Sequence, residues 1–558
     1  MSSPKNARVL IAGGSIAGLT LANILEQIGI DFLVLEKYKA IAPDVGASIG
    51  IFPNGFRILD QLGCHDTIKA LVDGADSFEH MRMYDERGNK VQDIADASQH
   101  FKNRLAYEPI FVDRQMIIQI LYDNLSDKSK VLTDKGVVHV QQQQPSGRVQ
   151  VTTGDGSVYE GAILVGADGI HSTVRREMWR IADEVHPGHF PLSERTATPT
   201  GYRCIFGISK PNERFPKYSS QNVMGNGCSY LISTGPNHRI YWFLFKKLST
   251  TVHGLYEKVP RYTETERDAL AAEHADDPLN DTLRFGDLYE SRTTATLQAL
   301  PEVVFSKWHY GRIITIGDAA HKFNPIGGQG GNSAIEDSAV LANLIHEVNK
   351  SQGSVFSLTD ANLACIFEKL HSLRHGRAAS LMKASHDLQS LQAKETFLTR
   401  LVAKWLIPGS SADSVLEMLS TNMRPAPRLN MVPVPDRQHA DLYNDERPAE
   451  PLSSAMPRFF TYGVFACLIG IAFLTMNWTA YPLSRITLEV APKAYSTGVQ
   501  SFRHTLNLVF LKLAGGTGWV DVGHTLQLLY LLLFLTPVML IWYIEANRHE
   551  SRGTLISR

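Results

Sequence analysis

Gly13, Ser15 and Gly18 in the stretch GGSIAGL, followed 18 residues after Gly18 by Glu36, have the types and spacing that hold a dinucleotide. Glycine lets the backbone approach a diphosphate, and the N–H groups of a helix start bind its charge. A carboxylate placed like Glu36 accepts hydrogen bonds from ribose hydroxyls and favours a ribose without a phosphate. Gly13 and Gly18 take the first and third glycine places of the usual fingerprint. Ser15 stands at the middle place, where its hydroxyl can still face a diphosphate. Residues 7–12 (ARVLIA) read as a short buried strand, GGSIAGLTLANILEQIG as a tight turn feeding an amphipathic helix and DFLVLEK as a second strand.

A nicotinamide dehydrogenase would follow one such unit with its substrate domain. This chain returns to dinucleotide chemistry twice. In ILVGADGIHSTVR, residues 163–175, an apolar strand runs into Gly166, Asp168 and Gly169 and a helix begins. In residues 313–345 a strand ends at Gly317 and Asp318, and after a loop a new helix opens at the cluster Gly327, Gly328, Gln329, Gly330, Gly331.

Together these three segments resemble the glycine-rich, DG and GD motifs of the flavoprotein monooxygenases related to p-hydroxybenzoate hydroxylase, in that family's order over roughly the first 400 residues. The resemblance implies FAD, with Asp318 on the ribityl chain, the backbone of Gly328 to Gly331 at the pyrimidine end of the flavin and Pro325 beside the ring. Unpaired N–H groups at that helix start would stabilise the negative charge of a reduced flavin. The stretch GASIGIFPNGFRILDQLG, residues 46–63, is similar to the family segment whose backbone near Gly50 touches the cofactor. Arg114 matches an arginine on the diphosphate or ribityl chain. Asp168 is implied as a helper in FAD and nicotinamide binding, and Arg175 as a phosphate contact. No second complete nucleotide fingerprint is present, so NADPH or NADH is expected as a transient electron donor. The implied fold is α/β, a Rossmann-like FAD-binding domain with an inserted mixed β-sheet substrate domain and C-terminal transmembrane helices.

In this family the protein holds substrate near oxygen activated by the reduced flavin and excludes water. Oxygen transfer to a phenol is helped by a base, whereas epoxidation of an isolated alkene needs none. Between the DG and GD motifs, GYRCIFGIS, GCSYLIST and RIYWFLFKK read as strands of a sheet roofing the flavin. Arg203, Tyr218 and Tyr230 are the polar candidates there for positioning a substrate oxygen or relaying a proton, although strand tyrosines more often pack than catalyse. The GGSIAGL turn, the GQGGN motif and a hydrophobic tail are most similar to the fungal membrane-bound FAD epoxidases of indole-diterpene and meroterpenoid pathways. That similarity implies epoxidation of a prenyl double bond for a downstream terpene cyclase. An aromatic-ring hydroxylase, a flavin-dependent prenyl reductase and a non-catalytic membrane scaffold are the alternatives.

The remaining sequence frames this site. Lys plus Arg number 55 against 56 Asp plus Glu, so no long-range field recommends nucleic acid as a partner. The five cysteines are scattered without metal-ligand spacing, which predicts small buried side chains in a reducing compartment and no metal. No secretory signal leads the chain, so the main domain is expected in the cytosol. Residues 459–478 and 526–544 are nearly uncharged runs of about 20 residues, enough to cross a hydrocarbon core of ~30 Å. Trp542 and Tyr543 suit a membrane interface, and Arg548, Arg552 and Arg558 favour a cytosolic end, while residues 506–513 read as an interfacial helix. A prenylated substrate would dissolve in the same bilayer, expected to be that of the endoplasmic reticulum. The expected organisation is a first FAD part over 1–190, a substrate sheet over 191–300, a second FAD part with packing helices over 301–404, a Pro-rich linker or strap over 405–457 and an anchor over 458–558.

Overall fold

In the computed structural model, which describes residues 5–43, 48–72, 78–143, 147–352 and 359–447, the apolar strand Lys5–Ala12 sits centrally in a parallel sheet. Val158–Gly166 lies on one side of it and Phe32–Leu35 on the other. Ile313–Thr315 and Val131–Leu132 extend the sheet in the same direction, and His309–Tyr310 closes one edge antiparallel. The antiparallel strands Val137–Gln143 and Arg148–Thr153 are attached through Val158–Gly166. All three motif turns leave neighbouring parallel strands, Lys5–Ala12, Val158–Gly166 and Ile313–Thr315, at their C-terminal ends. Motifs about 300 residues apart thus meet at one sheet end, where ligands bind in open α/β sheets.

Helices cover this sheet because its strands are apolar on both faces. Ile16–Gln27 is buried along its whole first ten residues and packs against the long helix Gln329–Gln352. A small antiparallel pair, Ser48–Ile51 with Ile110–Asp113, sets Gly50 opposite Phe111 and delivers Arg114 at the start of the next helix.

The second sheet has seven strands in the order Arg292–Pro301, Pro199–Ser209, Ile240–His253, Cys228–Thr234, Ser219–Met224, His80–Tyr84, Lys90–Ala95. His80–Tyr84 runs parallel to Ser219–Met224 while the other pairs are antiparallel, which makes the sheet mixed. The roof therefore draws on a hairpin from outside residues 191–300. Ile240 to Phe245 are all buried because both faces are covered. Trp242 and Leu244 pack outward onto the helices Glu264–Glu273 and Phe285–Glu290, and Tyr241, Phe243 and Phe245 pack inward with Tyr202, Cys204 and Leu300.

Residues 405–447 are a strap. After the helix Ala412–Thr421 the backbone is extended and rich in proline, so its polar groups need partners elsewhere. Gln61 supplies three, donating to the carbonyls of Leu429 (3.0 Å) and Val432 (2.8 Å) and accepting from the Leu429 N–H (2.8 Å). The buried Arg57 bonds the Ala426 carbonyl at 3.0 Å and pairs with Asp445 and Glu446, both at 2.8 Å. Tyr443, also buried, donates to the Leu105 carbonyl at 2.9 Å. Among the described residues no helix is long and apolar enough to cross a membrane. The runs 459–478, 506–513 and 526–544 lie outside the described residues.

Candidate active site

The first turn is shaped by where side chains cannot fit. Gly13 has φ +107°, and a Cβ there would lie 2.5 Å from the Ala167 carbonyl oxygen of the DG segment. A Cβ on Gly18 would lie 1.9 Å from the Gly13 carbonyl oxygen, so only glycine lets the helix start against the turn. Glu36 is buried beside it and accepts from the N–H of Gly14 (2.6 Å) and of Tyr38 (2.8 Å). The Ser15 hydroxyl does not cap its own helix; it accepts a bond from Arg114 at 2.9 Å, which draws that guanidinium over the turn.

The DG and GD segments close the other side. Asp168 accepts from the Ser172 hydroxyl (2.5 Å) and from the N–H of Thr173 (2.7 Å) and Val174 (3.1 Å), so its carboxylate caps the following helix while bordering the cleft. Arg175, expected near a phosphate, is instead buried and donates to the carbonyl oxygens of Ala319 (2.7 Å) and Ile170, tying the DG segment to the GD segment. Asp318 pairs with Lys322. Burial presses its pKa up, but Lys322 and Arg114 outweigh that and hold it below the usual carboxylate range.

Gly50, Gly328 and Gly331 crowd against Phe52 and Ile49, where a Cβ would stand 2.5 to 2.9 Å from side-chain carbons. Gly330 faces open space, with only Asp318 Oδ1 within 4 Å of a hypothetical Cβ. One side chain joins these backbones. Asn332, fully buried, donates to the carbonyls of Gly50 (2.9 Å) and Gly328 (2.8 Å) and accepts from the Phe52 N–H (3.0 Å). Behind it, Glu336 takes bonds from Arg374, Arg377 (2.6 Å) and Asn54 (2.8 Å). Asp337 takes bonds from the Gly317 N–H (2.9 Å), His321 (2.7 Å) and Arg374 (2.7 Å). These residues went unassigned in the sequence. A run of polar residues in NSAIEDS, on a helix that must pack against another helix, was the available signal.

Two cavities follow from this construction. One, about 330 Å³, is lined by Gly13, Ser15, Glu36, Arg114 and Asp168 among others. The second, about 540 Å³, lies under the roof sheet and is lined by Gly50, Pro325, Gly328, Phe206, Phe243 and Leu300 among others. Arg114, His171, Asp318, Gly330 and Gly331 border both, so the two form one trough. One end has a carboxylate, an arginine and a glycine turn for an adenosine diphosphate, and the other has a helix start for the flavin's pyrimidine edge. The residues fit FAD.

The structure does not bring Arg203, Tyr218 or Tyr230 to this trough; none lines either cavity. Alternate side chains of a strand point to opposite faces. Phe206 and Leu231 take the inner face, which sends Arg203 and Tyr230 outward. Arg203 lies over the Tyr262 ring. Tyr230 packs on Phe285 and donates to Asp277 at 2.6 Å. Tyr218, at φ +50°, stands edge-on to His238. On that outer face Cys228, His274 and Asp277 put possible ligand atoms within 4.8 Å of one another. Both ring nitrogens of His274 are already engaged, with Asp277 at 2.7 Å and Lys246 at 3.1 Å. Sequence reasoning missed the inward row instead. Thr296, Phe206, Phe243, Leu231 and Asn222 are cross-strand neighbours in that order.

Two measurements test this geometry. Gly18→Ala should strain the turn by about 1–3 kcal/mol, roughly ten- to hundredfold in FAD affinity, read as flavin retained on gel filtration. For Asp337, burial raises the pKa, but His321 and Arg374 outweigh it and hold it at about 2. A depressed pKa contributes stability above the unfolded value of about 3.9 and loses it as pH falls through the folded value. Acid unfolding should therefore show a limb falling from about pH 4 toward about pH 2 that Asp337→Asn removes.

Comparison with known proteins agrees with the site. The FAD binding domain family matches residues 6–186 and 251–362, which contain all three motifs. The chain is 36% identical over 466 residues to the FAD-dependent monooxygenase spyC of Aspergillus fumigatus, covering 84% of this chain and 96% of that one. It is 38% identical over 404 residues to the FAD-dependent monooxygenase andE of Emericella variicolor, covering 72% and 84%. The fold is also that of Klebsiella pneumoniae HpxO complexed with FAD and uric acid, with a TM-score of 0.59 at 21% identity over 75% of this chain and 97% of that one. With its glycine turn, DG and GD segments gathered into one FAD-shaped trough and these relatives matched over most of their length, the chain belongs to the FAD-dependent monooxygenases.

Proposed function

We propose that this monooxygenase epoxidises a prenyl double bond of a terpenoid or meroterpenoid intermediate in secondary metabolism, using oxygen and electrons from NADPH or NADH. The observation that carries this reading is a third cavity of about 130 Å³, walled by Phe52, Phe78, Phe101, Phe111, Leu231 and Met423. It shares Phe111 and Gly328 with the cavity under the roof, and Leu231 pairs directly with Phe243 across the sheet. A whole small-molecule ligand takes about 300–1,000 Å³, so this space suits one end of a longer molecule. None of its described lining residues is Asp, Glu, His, Lys, Arg, Tyr or Cys. The aromatic and aliphatic side chains among these walls match a hydrocarbon chain.

Bound FAD supplies activated oxygen at its ring. The chain's own residues supply position and dryness. N–H groups at the start of the helix Gln329–Gln352 would stabilise negative charge on a flavin ring held there. Phe206, Phe243 and Leu300 roof the site and keep water from the reacting carbon. Arg114 and the Gly13 turn hold the diphosphate.

The reading extends to location. Residues 459–478 and 526–544 would anchor the chain in the endoplasmic reticulum membrane with its catalytic part cytosolic, raising the local concentration of a bilayer-dissolved substrate. The epoxide would pass to a separate terpene cyclase.

The test is turnover of a farnesylated aromatic by detergent-solubilised, FAD-loaded protein with NADPH and oxygen. One added oxygen as an epoxide is expected. Ring hydroxylation, or chain saturation without oxygen, would contradict the reading. Leu231→Trp should fill the third cavity and raise KM about tenfold with FAD retained.

A further inference from the structure

The two helices that wall the third cavity are joined by a segment that faces away from the protein. Leu381, Ala384 and Leu388 come from the helix Asp360–Gln392, and Leu419 comes from Ala412–Thr421. Between them lie a short helix, Phe397–Leu401, and the π-helical turn Val402–Leu406 that continues it. Phe397, Leu398, Trp405 and Leu406 are 76%, 67%, 63% and 60% exposed. They are four of the eleven exposed large hydrophobic side chains among the described residues, gathered into ten positions. Scattered exposed apolar residues need no explanation, but a cluster marks an interaction surface.

The segment is held firmly in this pose. Thr396 caps the short helix, Ala403 is buried, Glu395 pairs with Lys247 at 2.6 Å and Lys394 pairs with Glu86. The apolar side chains are therefore presented outward by anchored backbone. Arg400 and Lys404 stand exposed among them, with the Lys404 ammonium 5.1 Å from the Trp405 ring centroid. No acidic residue occurs from Thr396 to Ala412. A helical segment with tryptophan, phenylalanine and leucine on its outer side and basic side chains beside them matches the boundary between headgroups and acyl chains.

We propose that Phe397, Leu398, Trp405 and Leu406 dock the catalytic body onto an anionic phospholipid bilayer, with Arg400 and Lys404 against lipid phosphates. The charge pattern selects this occupant over a second copy of the chain, whose matching segment would bring like charges together. The two helices walling the apolar cavity then rise from the lipid surface, which links a membrane-dissolved chain to the proposed prenyl site. That last link rests on the epoxidase reading; the docking does not.

The test reconstitutes the full chain in phosphatidylcholine and phosphatidylserine vesicles with plain or brominated acyl chains. Fluorescence of the wild type minus that of Trp405→Phe isolates Trp405 from the other tryptophans, including those near the tail. The difference emission is expected to fall by more than half in brominated vesicles. Equal emission in the two vesicle types would overturn the proposal, because water or a protein neighbour would then surround Trp405. The readout needs no turnover, so it stands apart from any failure to epoxidise.

Discussion

The cofactor trough depends on polar groups that the fold has buried. Asn332, Glu336 and Asp337 project from one helix and are fully enclosed. An amide or carboxylate taken out of water costs free energy unless every bonding site finds a partner, and a lone buried charge costs far more. Here Arg374, itself buried, answers both carboxylates, Arg377 and Asn54 complete Glu336, and His321 with the Gly317 N–H completes Asp337. Such an arrangement constrains the positions of the groups it joins. Through Gly317 it fixes the GD loop, and through Asn332 it fixes Gly50 and Gly328. Stability gained by replacing the charges with apolar residues would come at the expense of that geometry.

Much of this site is legible in the sequence, for a physical reason. A diphosphate seat needs glycine where a Cβ would collide, a helix start and an acid at the end of the next strand, so Gly13, Gly18 and Glu36 declare themselves by type and spacing. The GD loop is equally plain from Asp318 and the glycine cluster. Arg175 misled because an arginine in a phosphate-binding segment can equally serve backbone carbonyls, and only packing distinguishes the two roles.

The roof was harder to read. Alternation reveals a strand's facing only when one face meets water. In RIYWFLFKK both faces are buried, so nothing in the pattern says whether Phe243 or Trp242 looks toward the trough. The same ambiguity placed Arg203 and Tyr230 in the site, where the sheet puts Phe206 and Leu231. The strap was ambiguous from its composition, since proline-rich sequence serves a free linker and a docked extended segment alike. Arg57 and Gln61, far away in sequence, decide the matter.

The site is assembled from five distant stretches: the first turn, the Gly50 strand, the DG segment, the GD loop and the sheet above them. An apolar cavity adjoins it, and the wall of that cavity carries the outward hydrophobic segment. The buried clamp, and not the glycine turn alone, makes the trough a FAD site. Its most direct test is the FAD dissociation constant of Asn332→Ala, with circular dichroism to follow the fold. Weakening of about tenfold or more, with native secondary structure retained, is predicted from the loss of the three hydrogen bonds that Asn332 makes. Unchanged FAD affinity in the folded variant would contradict it.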